Sequence, residues 1–370
     1  MRIDADPVLL SSPRPCRAGA GGPSAAAAGY NKKPAGRSFF RLRLGFDNGA
    51  GLCWRACVGS TPYRLAGLHS ISSVMETADR VTARRRACLV VPAASARMLA
   101  SARRASVDEV VLDLEDAVVP SAKSSARSAA SEAIRSGGFA CNGLAVRVNA
   151  PGTPWGHKDV IVIGGAATRP RSIVVPKVEG AGDLAFIDRL LDGVEAAVGH
   201  TEPLAVQALV ESPAGLRALD EIAAASMRLE AIVLGYADLA ASLGRARDAA
   251  ANLDLWLGVQ DRVLAAARAA GVQAIDGPHL AIGDETGLEA AARRAADLGF
   301  DGKWAIHPSQ LNALTTAFTP SAREVDRARA IVAALDRAAG DGLGTIALDG
   351  EMIDEALRVG ALRILARAAR

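Results

Sequence analysis

From Met75 onward the chain repeats one pattern eight times: a short apolar, β-branched run followed by an Ala-, Arg- and Leu-rich stretch. The runs are CLVVP (88–92), EVVLDLE (109–115), LAVRVN (144–149), SIVVPK (172–177), LAVQALVE (204–211), EAIVLGY (230–236), VQAIDGP (272–278) and DGKWAIHP (301–308). Between them, stretches such as GDLAFIDRLLDGVEAAV and SPAGLRALDEIAAAS place apolar residues at helical spacing, with charges on the opposite face. Runs that are apolar without alternation belong to a sheet covered on both faces, which parallel strands and crossover helices produce. Eight such units imply an α/β fold, a (β/α)8 TIM barrel, with a doubly wound open sheet as the main competitor.

Residues 1–74 have a different texture. The segment SSPRPCRAGAGGPSAAAAGYNKKPAGRS has no helical or strand period and is rich in Gly, Pro, Ser and Ala. Such a segment cannot bury enough surface to order itself, so a disordered leader is expected. Its Arg- and Ser-rich, acid-poor character is that of an organelle transit peptide, but it carries no sustained amphipathic helix. The preferred reading is an upstream extension of a chain whose working part starts near Met75. Charge divides at the same place: residues 1–74 hold ten Lys/Arg against three acids, residues 75–370 hold 33 against 37. A slightly acidic body is not an obvious nucleic-acid binder. No apolar run reaches the roughly 18–20 residues needed to cross a bilayer, so no membrane partner is expected. The five cysteines are scattered, without a Cys or His pair at metal-site spacing, which points to a reducing, cytoplasmic setting and no structural zinc. The expected layout is a leader over 1–74, a catalytic barrel over 75–310 and a C-terminal helical lid or oligomerisation segment over 311–370. The Gly-rich GDGLGTIALDG (340–350) lacks the Lys-Ser/Thr of a phosphate loop and reads as a linker into that lid.

In such a barrel the C-terminal strand ends form the mouth from which catalytic groups project. Glu211 closes the run ending LVE, Glu115 and Asp116 follow VLDL, Arg147 and Asn149 lie in VRVN, and Lys177 follows VVP. Asp238 comes just after VLGY, Asp276 lies in AIDGP and His307 in AIHP. Gathered at one rim, these residues constitute a candidate site. Glu211 and Asp238, from neighbouring strands, can hold one hard divalent cation and leave room for water and substrate oxygens, an arrangement that suits Mg²⁺. A soft metal would need Cys or His ligands. Arg147 offers a planar fork to a carboxylate or a developing oxyanion. Metal and Arg together suggest an anionic substrate with a carbonyl beside its carboxylate, such as a 2-oxo acid. Lys177 could instead form a Schiff base, but a lysine among carboxylates lacks the desolvation that lowers its pKa. His157 and His279 read as loop residues, and His307, followed by Pro, as either a site residue or a turn lock.

Taken together, VVLDLEDAVVPSAKSSAR, VRVNAPGTPWGHKDV, IVVPKVEG, ALVESPAGL, VLGYADLAASLG, AIDGPHL and GFDGKWAIHPSQL resemble, in this order, the HpcH/HpaI aldolase and citrate lyase superfamily. The resemblance covers about residues 85–360 and is strongest to the citrate lyase beta-like, malyl-CoA and citramalyl-CoA lyase branch. It implies a Mg²⁺-dependent (β/α)8 barrel, assembled as a homotrimer or hexamer, that makes or cleaves a carbon–carbon bond between an acyl-CoA thioester and a 2-oxo acid. It also implies that Arg147 contacts substrate and that Glu211 and Asp238 ligate Mg²⁺, with Glu211 beside the substrate. Glu115 and Asp116 would position Arg147 or metal-bound waters. The C-terminal LDGEMIDEAL resembles a family segment GxMVD whose Asp, here Asp354, reaches a neighbouring subunit's site as an acid/base. The Pro that commonly follows that segment is absent, and VPAAS stands where VPG followed by Arg and Pro is usual. The expected activity is cleavage or formation of malyl-CoA or citramalyl-CoA, with acetyl-CoA and a 2-oxo acid as the fragments. The alternatives are a class II HpaI-type aldolase on free 2-oxo acids and a citrate lyase beta subunit working in a complex.

Overall fold

The computed structural model describes residues 84–246 and 252–369. The expected leader, 1–74, lies outside the described residues. Eight parallel strands close into a barrel in chain order. They are β1 (Ala87–Pro92), β2 (Glu109–Asp113), β3 (Gly143–Arg147), β4 (Ser172–Val175), β5 (Ala205–Val210), β6 (Leu229–Leu234), β7 (Gln273–Asp276) and β8 (Gly302–Ala305). Closure is made by β1 on β8, with Cys88 opposite Trp304. The barrel, rather than the open sheet, is therefore the fold that the eight units build.

Each strand is buried on both faces, and successive side chains divide between two cores. On β2, Val111 faces the lumen while Val110 and Leu112 face the helices; on β6, Ala231 and Val233 face in while Ile232 and Leu234 face out. The covering helices are α1 (Ala96–Arg104), α2 (Lys123–Ser136), α3 (Gly156–Gly164), α4 (Ala181–Val198), α5 (Pro213–Arg217), α6 (Leu219–Ala224), α7 (Tyr236–Ser242), α8 (Leu257–Ala270) and α9 (Glu285–Leu298). On α4 the helical period turns Leu184, Ile187 and Leu191 onto the sheet, each contributing roughly 1.5–3 kcal/mol by leaving water. Asp284 caps α9 by accepting from the N–H of Gly287 at 2.9 Å, and Gly299, at φ +109°, ends it.

The lumen is layered. At the strand starts Arg85, 2 % exposed, donates to Glu109 (2.8 Å) and Gln273 (2.5 Å) and pairs with Glu230; Gln207 joins Glu109 to Ser172. A Cβ on Gly302 would lie 1.6 Å from the carbonyl oxygen of Arg85, so only glycine lets the chain carrying Arg85 close over β8. Above this polar floor come Val111, Ala145, Val174, Leu209, Val233 and Ile275 around Trp304. Arg85→Met strands Glu109 without its cation and leaves Glu230 with Arg171 (3.3 Å) alone. It is expected to cost about 3–5 kcal/mol, read as a lower urea midpoint; an unchanged midpoint would show that the pair is not structural.

Past β8, α10 (Leu311–Ala317) packs on β1, β8 and α9 and covers the eighth strand unit. There follow α11 (Ala322–Gly340), β9 (Ile346–Leu348), β10 (Glu351–Ile353) and α12 (Glu355–Ala369), with α11 and α12 packed together. Ser321 and Glu324 form a capping box at the start of α11. The Gly-rich linker holds more structure than its composition predicts: β9 and β10 pair antiparallel across Asp349-Gly350, at φ +52° and +83°, a two-residue turn that suits a hairpin's twist. Ile353 seals a small core with Ala334 and Leu335. Among the described residues no helix is long and apolar enough to cross a membrane.

Candidate active site

Backbone hydrogen bonds continue past the strand ends and stiffen the rim: Leu114 N–H to Arg147 O (2.9 Å), Val148 N–H to Val174 O (3.1 Å) and Gly235 N–H to Val210 O (2.9 Å). On this frame Asp113, wholly buried at the end of β2, accepts from the N–H groups of Glu115 (2.8 Å) and Ala117 (3.2 Å). It also takes a bidentate pair from Arg147 at the end of β3, Nε and Nη2 each at 2.7 Å. Although burial opposes ionisation, Arg147 and these N–H groups hold Asp113 below the usual carboxylate range. The third donor of the fork, Nη1, lies 3.1 Å from Glu115 and 3.9 Å from Asp116. Burial alone would lower the Arg147 pKa, but Asp113, then Glu115 and Asp116, hold it above its ordinary value. The guanidinium stands over the Trp304 ring, 5.7 Å from its centre, and Trp304 Nε1 is buried without a partner.

Glu211 is the first residue past β5. The strand stops there because Ser212 caps α5 by accepting from the N–H of Gly215 (3.1 Å) and Pro213 takes the first helical position. The charge is thus pinned between the last strand residue and a helix start, 5 % exposed, against Gly235. A Cβ on Gly235 would lie 2.6 Å from Glu211 Cβ and 2.7 Å from its Oε2. Asp238 sits in the first turn of α7, about two-fifths exposed. Lys177, two residues past β4, joins these groups. Its N–H donates to Glu211 Oε1 at 2.9 Å, and its ammonium pairs with Glu115, with Asp238 at 3.2 Å and with Asp116 at 3.5 Å.

Five carboxylates therefore meet two cations, Arg147 and Lys177. Burial, then the neighbouring Glu115 and Asp238, push the Glu211 carboxyl up to about 8 against the pull of Lys177 and Arg147. The cluster is short of positive charge, and its donors are all carboxylate oxygens, the chemistry of a hard divalent cation. Among the described residues no three His, Cys, Asp or Glu side chains converge at metal-ligand spacing. A cation here would take two carboxylates, Glu211 and Asp238, and complete its shell from water or substrate, as Mg²⁺ does.

Several rim residues named from the sequence face elsewhere. Asp276 is buried, bonded to Lys303 (2.5 Å) and the Tyr236 hydroxyl (2.5 Å). Asn149 is held by Asp159 (2.6 Å), itself paired with Arg127. His307 is exposed and caps the turn at Pro308, so it locks that turn. His279 is buried, 3.2 Å from Asp284, and His157 is exposed on α3. Asp354 caps α12, accepting from Ala356 (3.1 Å) and Leu357 (3.2 Å); it shares no hydrogen bond or ion pair with the cluster described above. Two contributors escaped the sequence reading, Asp113 and Trp304. The strand alternation that points Val111 inward carries Asp113 to the same face, so a signal for it was present.

A profile of the HpcH/HpaI aldolase/citrate lyase family matches residues 86–308, which span the whole barrel. An L-malyl-CoA/beta-methylmalyl-CoA lyase of Cereibacter sphaeroides is 38 % identical over 279 residues, covering 71 % of this chain and 86 % of that one. The citrate lyase subunit beta of Escherichia coli K12 is 36 % identical over 294 residues, covering 78 % and 95 %. Among solved structures, CitE from Mycobacterium tuberculosis in complex with magnesium, acetoacetate and coenzyme A superposes with a TM-score of 0.63 at 31 % identity, covering 79 % of this chain and all of that one. With the family's full barrel matched and relatives of this identity running along most of their length, the chain belongs to the HpcH/HpaI aldolase/citrate lyase family.

Proposed function

We propose that the protein is a cytoplasmic, Mg²⁺-dependent carbon–carbon lyase that cleaves, or forms, a 3-hydroxyacyl-CoA thioester such as malyl-CoA or citramalyl-CoA, with acetyl-CoA and a 2-oxo acid as the fragments. The observation that carries this reading is the carboxylate-rich rim, where Glu211 and Asp238 share Lys177 and Arg147, anchored by Asp113, meets the same Glu115 and Asp116 as that lysine. The relatives named for malyl-CoA and citrate lyases, and the CitE complex holding magnesium and coenzyme A, support it.

Glu211 and Asp238 hold the cation. When bound, Mg²⁺ supplies Lewis-acid stabilisation of the charge that grows on the hydroxyl oxygen as it becomes a carbonyl. Arg147, fixed by Asp113, turns its remaining N–H groups to the carboxylate of the oxo acid or to the oxygen of the departing enolate, and needs no reorganisation to do so. Glu115 and Asp116 hold Arg147 and Lys177 in register. Asp354, acting as acid/base from a neighbouring protomer of a homotrimer or hexamer, takes the hydroxyl proton and returns it to the enolate carbon. The segment 311–370 then serves as lid and assembly surface for the catalytic barrel over 75–310, with 1–74 as a leader.

The test offers malyl-CoA, citramalyl-CoA and citryl-CoA to the purified protein with Mg²⁺ and with EDTA. Acetyl-CoA and a 2-oxo acid are expected only with the metal, and Mg²⁺ in excess of EDTA restores them. If all three thioesters persist while free 2-oxo acids condense with aldehydes, the protein is an aldolase. If cleavage appears only after an alpha subunit and acyl-carrier protein are added, it is a citrate lyase subunit, which its similarity to the Escherichia coli beta chain accommodates. Gly235→Ala is expected to lower kcat/KM about 10²-fold by shifting Glu211, since misplacement near 1 Å costs that much. Unchanged kinetics would mean that Glu211 lies outside the reacting geometry.

A further inference from the structure

Among the described residues, two that are not glycine have a left-handed backbone, Asp349 and Lys177. Asp349 is explained by its hairpin turn. Lys177, at φ +54°, has no hairpin to justify a conformation that costs a β-carbon residue about 1–2 kcal/mol. What the conformation achieves is contact with every rim carboxylate except Asp113: the N–H reaches Glu211, and the ammonium reaches Glu115, Asp116 and Asp238. The two carboxylates that suit a divalent cation are thus held by two ends of one residue. Asp238 Oδ2 can serve the ammonium or a cation at full strength, not both. Glu115 and Asp116 also meet the ammonium, and Arg147 Nη1 meets them in turn.

We propose that Lys177 is a built-in rival of the divalent cation: its ammonium shares Asp238 with the cation, moves onto Glu115 and Asp116 when the cation binds, and so sets how tightly the cation is held. The inference rests on the cation site of the preceding section. Lys177 is a positioning residue here. Its N–H keeps Glu211 aimed whichever group holds Asp238, while its charge prevents the site from binding the cation too tightly to exchange.

The experiment titrates Mn²⁺ into the full chain without substrate, followed by electron paramagnetic resonance of the free ion. Lys177→Asn removes the charge and keeps the backbone, because Asn tolerates the left-handed region. Lys177→Gly is a second neutral variant that accepts it without strain. Both are expected to lower the Kd for Mn²⁺ about tenfold, while Lys177→Arg stays within about threefold of the wild type, as loss or retention of one half-exposed charge requires. Unchanged or weaker binding in both neutral variants overturns the proposal. Asp238→Asn separates the two readings. If it weakens Mn²⁺ binding but the neutral variants do not tighten it, only the role of Lys177 falls. If the wild type and Asp238→Asn bind alike, the cation site falls and Lys177's role with it.

Discussion

Glu211→Gln is expected to lower kcat/KM for thioester cleavage about 10³-fold, the several kcal/mol that a cation ligand contributes to stabilising a developing oxyanion, without lowering the melting temperature. The two halves of this expectation share one cause. Glu211 is nearly buried and faces Glu115 and Asp238, so its charge is costly to the folded protein, as its raised pKa of about 8 records. Gln keeps the shape and still accepts from the Lys177 N–H at 2.9 Å, while removing one of five crowded carboxylates. Activity should fall by that factor while thermal stability holds or rises. Steady-state kinetics and a melting curve read the two halves separately. A variant that keeps its kcat/KM would remove Glu211 from the chemistry, and one that melts early would show that the carboxylate is structural.

Arg147→Lys should lower kcat/KM by about 10²- to 10³-fold, in the range of losing a preorganised oxyanion donor. Charge is conserved, so the loss isolates geometry. Asp113 holds both Nε and Nη2 of the guanidinium, each at 2.7 Å, which fixes the plane of the fork, and a lysine offers one point charge with no plane to fix. Asp113→Asn is the companion change: it leaves Arg147 in place but unclamps it, and a drop confined to kcat would identify orientation as the quantity lost. Equal kinetics for Arg147→Lys and the wild type would mean that only charge is read at this position.

The barrel was legible because periodicity and length carry it: eight apolar runs separated by amphipathic stretches admit few arrangements, and parallel strands need covering on both faces. Strand ends were then enough to bring Glu115, Asp116, Arg147, Lys177, Glu211 and Asp238 to one rim, where ion pairs and hydrogen bonds connect them. Asp276 shows where that reasoning stops. Whether a strand-end acid faces the mouth or a buried base depends on Lys303, 27 residues away, and no local pattern reveals it. The hairpin in the Gly-rich linker turns on two left-handed residues, Asp349-Gly350, and its composition concealed the pairing. The acid/base role that the family resemblance implies for Asp354 lies across a subunit boundary; within one chain its carboxylate caps a helix.

The layered lumen has a kinetic corollary. From Arg85 and its carboxylates up to Trp304 the interior of the barrel is filled with side chains, so the mouth is a single doorway through which both fragments of a cleaved molecule must depart. An oxo acid bound by Arg147 above Trp304, as the proposed function has it, would lie beneath whatever its larger partner occupies. With that placement the two products would leave in a fixed sequence, the thioester before the acid, and inhibition by each product would carry a different signature: the acid would compete with substrate for the empty protein, the thioester would not.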